Sequence, residues 1–100
     1  MKYEINETNG ATLRVGSDCY PYTIIKYLTE KSVLAVQDEF KAGLNHDYYG
    51  NQVWEYFECD TAGYEVFTLR KNGKWIKKGQ SLNDCPLYIG KRRAYQDPSF

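Results

Sequence analysis

Apolar and polar residues alternate along most of this chain in short runs, and no stretch carries the three-to-four-residue spacing of an amphipathic helix. The clearest run is Tyr64-Glu65-Val66-Phe67-Thr68-Leu69-Arg70-Lys71, followed by Asn72-Gly73 and then Lys74-Trp75-Ile76-Lys77-Lys78. Asn-Gly is the preferred pair where both central residues of a two-residue turn need positive φ. The aromatic and β-branched residues on either side suit a half-buried pleated surface, so a β-hairpin is predicted. Upstream, Ala11 to Val15, closed by Gly16-Ser17-Asp18, reads as a strand. So do Tyr20 to Leu28 and Val33 to Gln37, joined by the polar turn Thr29-Glu30-Lys31-Ser32. Pro21 belongs at the start of its strand because it has no N–H to give to a ladder. Residues 1–10 read as an opening strand and a loose turn punctuated by Asn9-Gly10. From Asp38 to Asn51 the periodicity lapses, and two glycines, a His and two adjacent tyrosines predict a long exposed loop with room for a helical turn. Gln52 to Cys59 predicts a further strand running through Asp60-Thr61-Ala62-Gly63 into the hairpin, and Gln80 to Pro86 loops back to Leu87-Tyr88-Ile89. The fold expected is antiparallel and all-β. Its core is expected to hold Tyr22, Ile24, Leu34, Val36, Phe57, Phe67, Leu69 and Ile76.

A chain of 100 residues has room for one domain, spanning residues 1–100, with a core large enough to need no metal or disulfide. Cys19, Cys59 and Cys85 are odd in number and widely spaced, which predicts three reduced thiols rather than a disulfide framework or a zinc ribbon. No apolar run is long enough to span a membrane, and the acidic opening Met1-Lys2-Tyr3-Glu4-Ile5-Asn6-Glu7 lacks the basic and then hydrophobic pattern of a secretory signal. A cytoplasmic location is expected, with no membrane partner. Asn6-Glu7-Thr8 matches a glycosylation acceptor, which carries no meaning there.

Charge is uneven although the formal net charge is zero. Residues 1–65 hold five Lys or Arg against eleven Asp or Glu, a balance of −6, and residues 66–100 hold eight against two, a balance of +6. The plain expectation is that the two parts neutralise each other across neighbouring strands. Aromatic residues make up 16% of the chain, ten of them tyrosines, whose rings pack inward while their hydroxyls reach water. The tail, with Arg92, Arg93, Tyr95 and Asp97-Pro98-Ser99-Phe100, is rich in specific side chains, so Tyr95 or Phe100 is expected to dock on the domain.

Two stretches resemble known patterns. Ala11-Thr12, Gly16-Ser17-Asp18, Pro21-Tyr22-Thr23-Ile24-Ile25 and a return strand ending Val36-Gln37-Asp38 resemble the opening of SH3-like and Tudor-like barrels, where a Ser-Asp turn precedes an aromatic strand. With the two hairpins and the absence of any helical-period window, the fold expected is a small SH3-like, partly open barrel or strongly bent antiparallel sheet of five to seven strands. The same stretch, with Phe67-Thr68-Leu69-Arg70-Lys71-Asn72-Gly73-Lys74-Trp75 and the ending from Ile89 to Phe100, is similar to a family of small proteins encoded by bacteriophages, prophages and mobile elements. That likeness implies a bacterial host cytoplasm and an accessory role, and it brings no activity with it.

Catalytic and metal chemistry find little footing. His46-Asp47 are sequence neighbours, which point apart on an extended chain, and Cys19 has no adjacent cation to lower its pKa. Cys59, His46, Cys85 and Asp84 lack metal-ligand spacing, and the scattered glycines build no phosphate loop. No enzyme activity and no cofactor are expected. A binding function remains, in two forms. The first is a protein-binding module whose tyrosine-rich face, Tyr20, Tyr22, Tyr48, Tyr49 and Trp54, engages a host or phage protein, including by inhibiting a host or defence protein. The alternative is single-stranded nucleic-acid binding through Arg70, Lys74, Trp75, Lys77, Lys78, Arg92 and Arg93, where basic groups interleave with stacking aromatics.

Overall fold

A computed structural model of the chain describes residues 3–98. Among these there is no helix. The eight strands are β1 (Gly10–Val15), β2 (Asp18–Thr29), β3 (Ser32–Gln37), β4 (Glu39–Ala42), β5 (Trp54–Phe57), β6 (Tyr64–Leu69), β7 (Trp75–Lys77) and β8 (Leu87–Ile89). Six of them close into an antiparallel barrel in the order β1-β2-β3-β6-β7-β8, while β4 and β5 form a separate two-stranded sheet. The small all-β barrel expected from the alternation is present, and it is closed rather than partly open. Trp75 of β7 stands opposite Leu87 of β8, and β8 returns to β1 with Ala11 opposite Ile89. Curvature comes from the 12-residue β2, whose pairing with β3 shifts between Ile24 and Lys26 and again between Tyr27 and Thr29. Such bulges bend a strand and raise its twist, which lets so few strands close on themselves.

Ala11, Tyr22, Ile24, Val33, Ala35, Phe67 and Leu87 make the buried cluster inside the barrel, with the edges of the Tyr22 and Phe67 rings meeting at 5.7 Å between centroids. Of the expected core, Tyr22, Ile24, Val36, Phe67 and Ile76 are buried, Leu34 and Leu69 are half-buried, and Phe57 is 42% exposed. Phe57 faces away from the barrel on the side sheet, where Lys41 Nζ sits 5.5 Å from its ring centre. Ala11, Val33, Ala35 and Leu87 were not expected in the core. Small and short-strand residues give a weak local signal, and their burial is decided by closure of the barrel.

Three local expectations are corrected. Residues 3–9 form no strand; the Asn6 side-chain oxygen accepts the Thr8 and Asn9 N–H groups, which coils this segment. The β6–β7 connection is not a two-residue turn. Gly73 N–H donates to Arg70 O at 2.9 Å and Arg70 N–H to Lys74 O at 2.9 Å, while Gly73 alone takes a positive φ of 80°. This is a three-residue loop with glycine in the left-handed position, and it tolerates an ordinary Asn72. The supposed loop from Asp38 contains β4 and no helical turn, and β5 pairs with β4 instead of joining the hairpin.

After β8 the tail folds back over the barrel. Gly90, at φ 117°, turns the chain out of the strand, and Gly10 lets it pass closely: a Cβ there would lie 2.8 Å from the Arg92 Cβ and backbone N. Tyr95 then pairs with Cys19 through two backbone hydrogen bonds, so the tail docks through Tyr95; Phe100 lies outside the described residues. The two ion pairs among the described residues, Arg92–Asp38 and Lys77–Glu65, each join the basic third of the chain to its acidic remainder.

Candidate functional site

β4 and β5 form an arm beside the barrel. In their register Phe40 stands opposite Tyr56 and Ala42 opposite Trp54, so these four share one face, while Glu39, Lys41, Glu55 and Phe57 share the other. The first face turns towards the barrel: Phe40 meets Tyr20 edge-on at 6.3 Å between centroids, and the Tyr56 hydroxyl accepts the Ala94 N–H at 3.2 Å. Phe40 also meets Trp54 at 4.9 Å, and Trp54 in turn contacts His46 at 4.3 Å and Tyr48 at 5.8 Å. An aromatic chain therefore runs from the barrel wall to the tip of the arm.

The tip is residues 43–53, and its conformation is specified from within. Gly43 N–H donates to Val53 O at 2.8 Å and Asp47 N–H to Asn51 O at 2.9 Å, while Asn45 takes a left-handed φ of 64°. Asp47 Oδ1 accepts the Tyr49 N–H at 3.0 Å, an arrangement typical of Asp at turns. His46 Nδ1 lies 2.9 Å from Val53 N and 2.7 Å from Val53 O, clasping the two sides of the loop. Its Nε2 is buried without a hydrogen-bond partner, in a ring packed edge-on against Tyr48 at 4.4 Å. His46 and Asp47 thus serve separate local bonds and do not act on one another. Beside the exposed polar Asn45, Asp47 and Asn51, this loop displays large hydrophobic side chains: Leu44 is 86%, Tyr49 83% and Tyr48 44% exposed.

The tyrosine-rich set is only partly brought together. Tyr48, Tyr49 and Trp54 share the arm, and Tyr20 borders it through Phe40. Tyr22 does not belong to any surface: it is buried in the barrel, with its hydroxyl donating to Glu65 Oε2 at 2.8 Å. Leu44 was missed, although an isolated Leu between Gly43 and Asn45 in a polar loop is a readable signal.

The basic set disperses. Arg92 is sunk in the fold, its Nε 2.8 Å from Asp38 Oδ2, its Nη1 donating to Asn6 O and its Nη2 to Asn9 Oδ1 and Thr23 Oγ1. Arg70 donates to Thr68 Oγ1, Gln80 O and Lys77 O, staying on its own hairpin. Lys77 Nζ sits 2.9 Å from Glu65 Oε1, and hydrogen bonding to that carboxylate raises its pKa. Trp75 is half-buried against the core and edge-on to Tyr27 at 6.2 Å. Lys74, Lys78 and Arg93 remain exposed.

Three phenols titrate abnormally. Burial pushes Tyr22 well above the ordinary range, with the Glu65 carboxylate adding to the effect. Burial likewise raises Tyr3, whose hydroxyl donates to Asp38 Oδ1, and Tyr56. A phenol that holds its proton longer in the folded than in the unfolded chain contributes stability below about pH 10, the unfolded value, and loses it as pH rises beyond that. The melting temperature is therefore expected to fall progressively above about pH 10, with part of the tyrosinate absorbance appearing only on unfolding. A melting temperature flat across that range contradicts it.

The three cysteines are free, and among the described residues no cluster of three or more His, Cys, Asp or Glu is placed to hold a metal. No helix among them is long and apolar enough to cross a membrane. No family model, curated protein or solved structure matches this chain.

Proposed function

We propose that this protein is a non-catalytic binding module that docks a partner protein on the tip of its β4–β5 arm. The observation that carries this reading is the outward display of Leu44, Tyr48 and Tyr49 on one loop that its own hydrogen bonds and His46 already hold in place. Large apolar side chains on a pre-ordered loop lose little freedom on docking, which is how a small interface gains affinity. The resemblance to phage and mobile-element proteins supports an accessory role in a bacterial host cytoplasm, with a host or defence protein as the partner and its inhibition as the consequence. Nucleic-acid binding through the basic set expected from the sequence has less support, because Arg70 and Lys77 of the hairpin and Arg92 of the tail spend their charge on internal bonds.

Leu44 and Tyr49 are the probes of choice, since Trp54 holds the arm together and its loss would disturb the loop itself. A tagged copy incubated with bacterial lysate, at salt concentrations that strip nucleic acid, should retain a protein that the Leu44→Ala/Tyr49→Ala variant releases. The affinity loss should be at least roughly 30-fold, the cost of one hot spot of about 2 kcal/mol. Retention of the same proteins by both forms removes the basis for the proposal.

A further inference from the structure

A second surface lies where the tail crosses the barrel. Thr12 of β1 stands opposite Tyr88 of β8, and Arg14 opposite Cys19 of β2. Thr12, Arg14 and Tyr88 alternate with Ala11, Leu13 and Leu87, which face the core, so they lie on the outer face. The tail is pinned across this face by the Thr12 hydroxyl, which donates to Lys91 O at 2.6 Å, and by the buried Arg92 guanidinium. With Arg92 committed to the interior, its neighbours Lys91 and Arg93 join Arg14 and Tyr88 around a concavity of about 400 Å³.

Arg14, Lys91 and Arg93 give this hollow three cations, and no carboxylate lines it. Among the described residues none of the three makes an ion pair: Arg14 Nε donates to Gly16 O at 3.3 Å, and the Arg93 guanidinium sits 5.9 Å from the Tyr95 ring centre. Like charges gathered around one concavity repel each other and focus a positive potential into it, which an anion relieves. Tyr88, 51% exposed, adds an open aromatic ring. Lys91 and Arg93 also line an adjoining hollow of about 380 Å³ with Gln52, Trp54 and Tyr56. Lys91 and Arg93 thus form a ridge between two hollows, each with its own aromatic residues, and Arg14 extends it along the first.

We propose that this ridge binds a single strand of nucleic acid, with phosphates on Arg14, Lys91 and Arg93, one base against Tyr88 and the next nucleotide in the adjoining hollow. Cations tracking a backbone beside stacking platforms are the chemistry that single-strand binding uses, and a flexible strand can follow a bend that a duplex cannot. The site is distinct from the basic hairpin; its second hollow borders the 43–53 loop at Gly50, Asn51 and Gln52 but is lined by neither Leu44 nor Tyr49.

The test is fluorescence anisotropy of labelled oligo(dT) with the full chain. Affinity should fall with salt with a log–log slope of about −2, three phosphates at roughly 0.7 each. Arg14→Ala and Arg93→Ala should each weaken binding roughly tenfold and make the slope shallower by about 0.7. Tyr88→Ala should weaken it roughly tenfold with the slope unchanged, through lost stacking. Lys74→Ala and Lys78→Ala serve as charge controls on the hairpin, and they and Leu44→Ala/Tyr49→Ala should leave binding within about twofold, the scale of a distant screened charge. All seven positions are exposed, and circular dichroism verifies that each variant folds. Absence of binding at low salt, losses in the hairpin controls equal to those at the ridge, or AMP binding as tightly as the oligonucleotide would each overturn the proposal.

Discussion

Arg92→Ala is expected to lower the melting temperature by roughly 12–40 °C, the consequence of about 3–5 kcal/mol in a domain of this size. Asp38 and Arg92 are 0% and 8% exposed at their side chains, so removal of the guanidinium leaves a carboxylate buried without its counter-charge. The network is wider than the pair. Asp38 Oδ1 also accepts the hydroxyls of Tyr3 and Thr23, and Arg92 bonds Asn6 O, Asn9 Oδ1 and Thr23 Oγ1, joining the coiled N-terminal segment, β2, the end of β3 and the tail. Asp38→Ala should cost a similar amount. The double variant Asp38→Ala/Arg92→Ala should lose clearly less than the sum of the two, because neither charge is then stranded. Thermal melts of the three variants decide it, and an Arg92→Ala melting point within about 3 °C of the parent, below the shift of a single kilocalorie, rejects this account. Because Arg92 sits inside the fold, any loss of nucleic-acid binding on its mutation reports unfolding and not a phosphate contact.

A chain stopped after Arg93 is expected to melt roughly 8–32 °C lower, from a loss of about 2–4 kcal/mol. Truncation leaves the N–H and C=O of the buried Cys19 without Tyr95, exposes the surface under Ala94, and removes the Asp97 N–H that Asp18 Oδ1 accepts. It also frees the arm. Gln52 behaves like a strand backbone towards the tail, its Nε2 donating to Gln96 O at 2.7 Å and its Oε1 accepting the Gln96 N–H at 3.0 Å. Hydrogen exchange should therefore rise in β4, β5 and the 43–53 loop beyond what the global destabilisation explains, since those bonds, with the Ala94 N–H that the Tyr56 hydroxyl accepts, tie the arm to the tail. An unchanged melting point together with unchanged exchange in the arm contradicts both parts.

The sequence alone determined most of the barrel strands and which neighbours in the chain pair as hairpins. Alternation with a period of two, Gly16 and the Asn72-Gly73 pair are local signals, and a strand and its turn are made by residues close in the chain. The β1–β2, β2–β3 and β6–β7 pairings and the burial of Tyr22, Phe67 and Ile76 follow from them. β4 escaped because Glu39-Phe40-Lys41-Ala42 is short and beside a charged stretch, and its one large apolar residue is matched only by Tyr56 and Trp54 across a loop. The face of each aromatic and the fate of each cation were decided only in three dimensions. Tyr22 and Tyr49 are the same residue type, one inside the barrel and one in solvent, because closure of the sheet covers the first and nothing covers the second. Arg92 and Arg93 are adjacent, yet one is consumed by Asp38, 54 positions away, and the other faces outward, since a charge is held inside only where the fold delivers its partner.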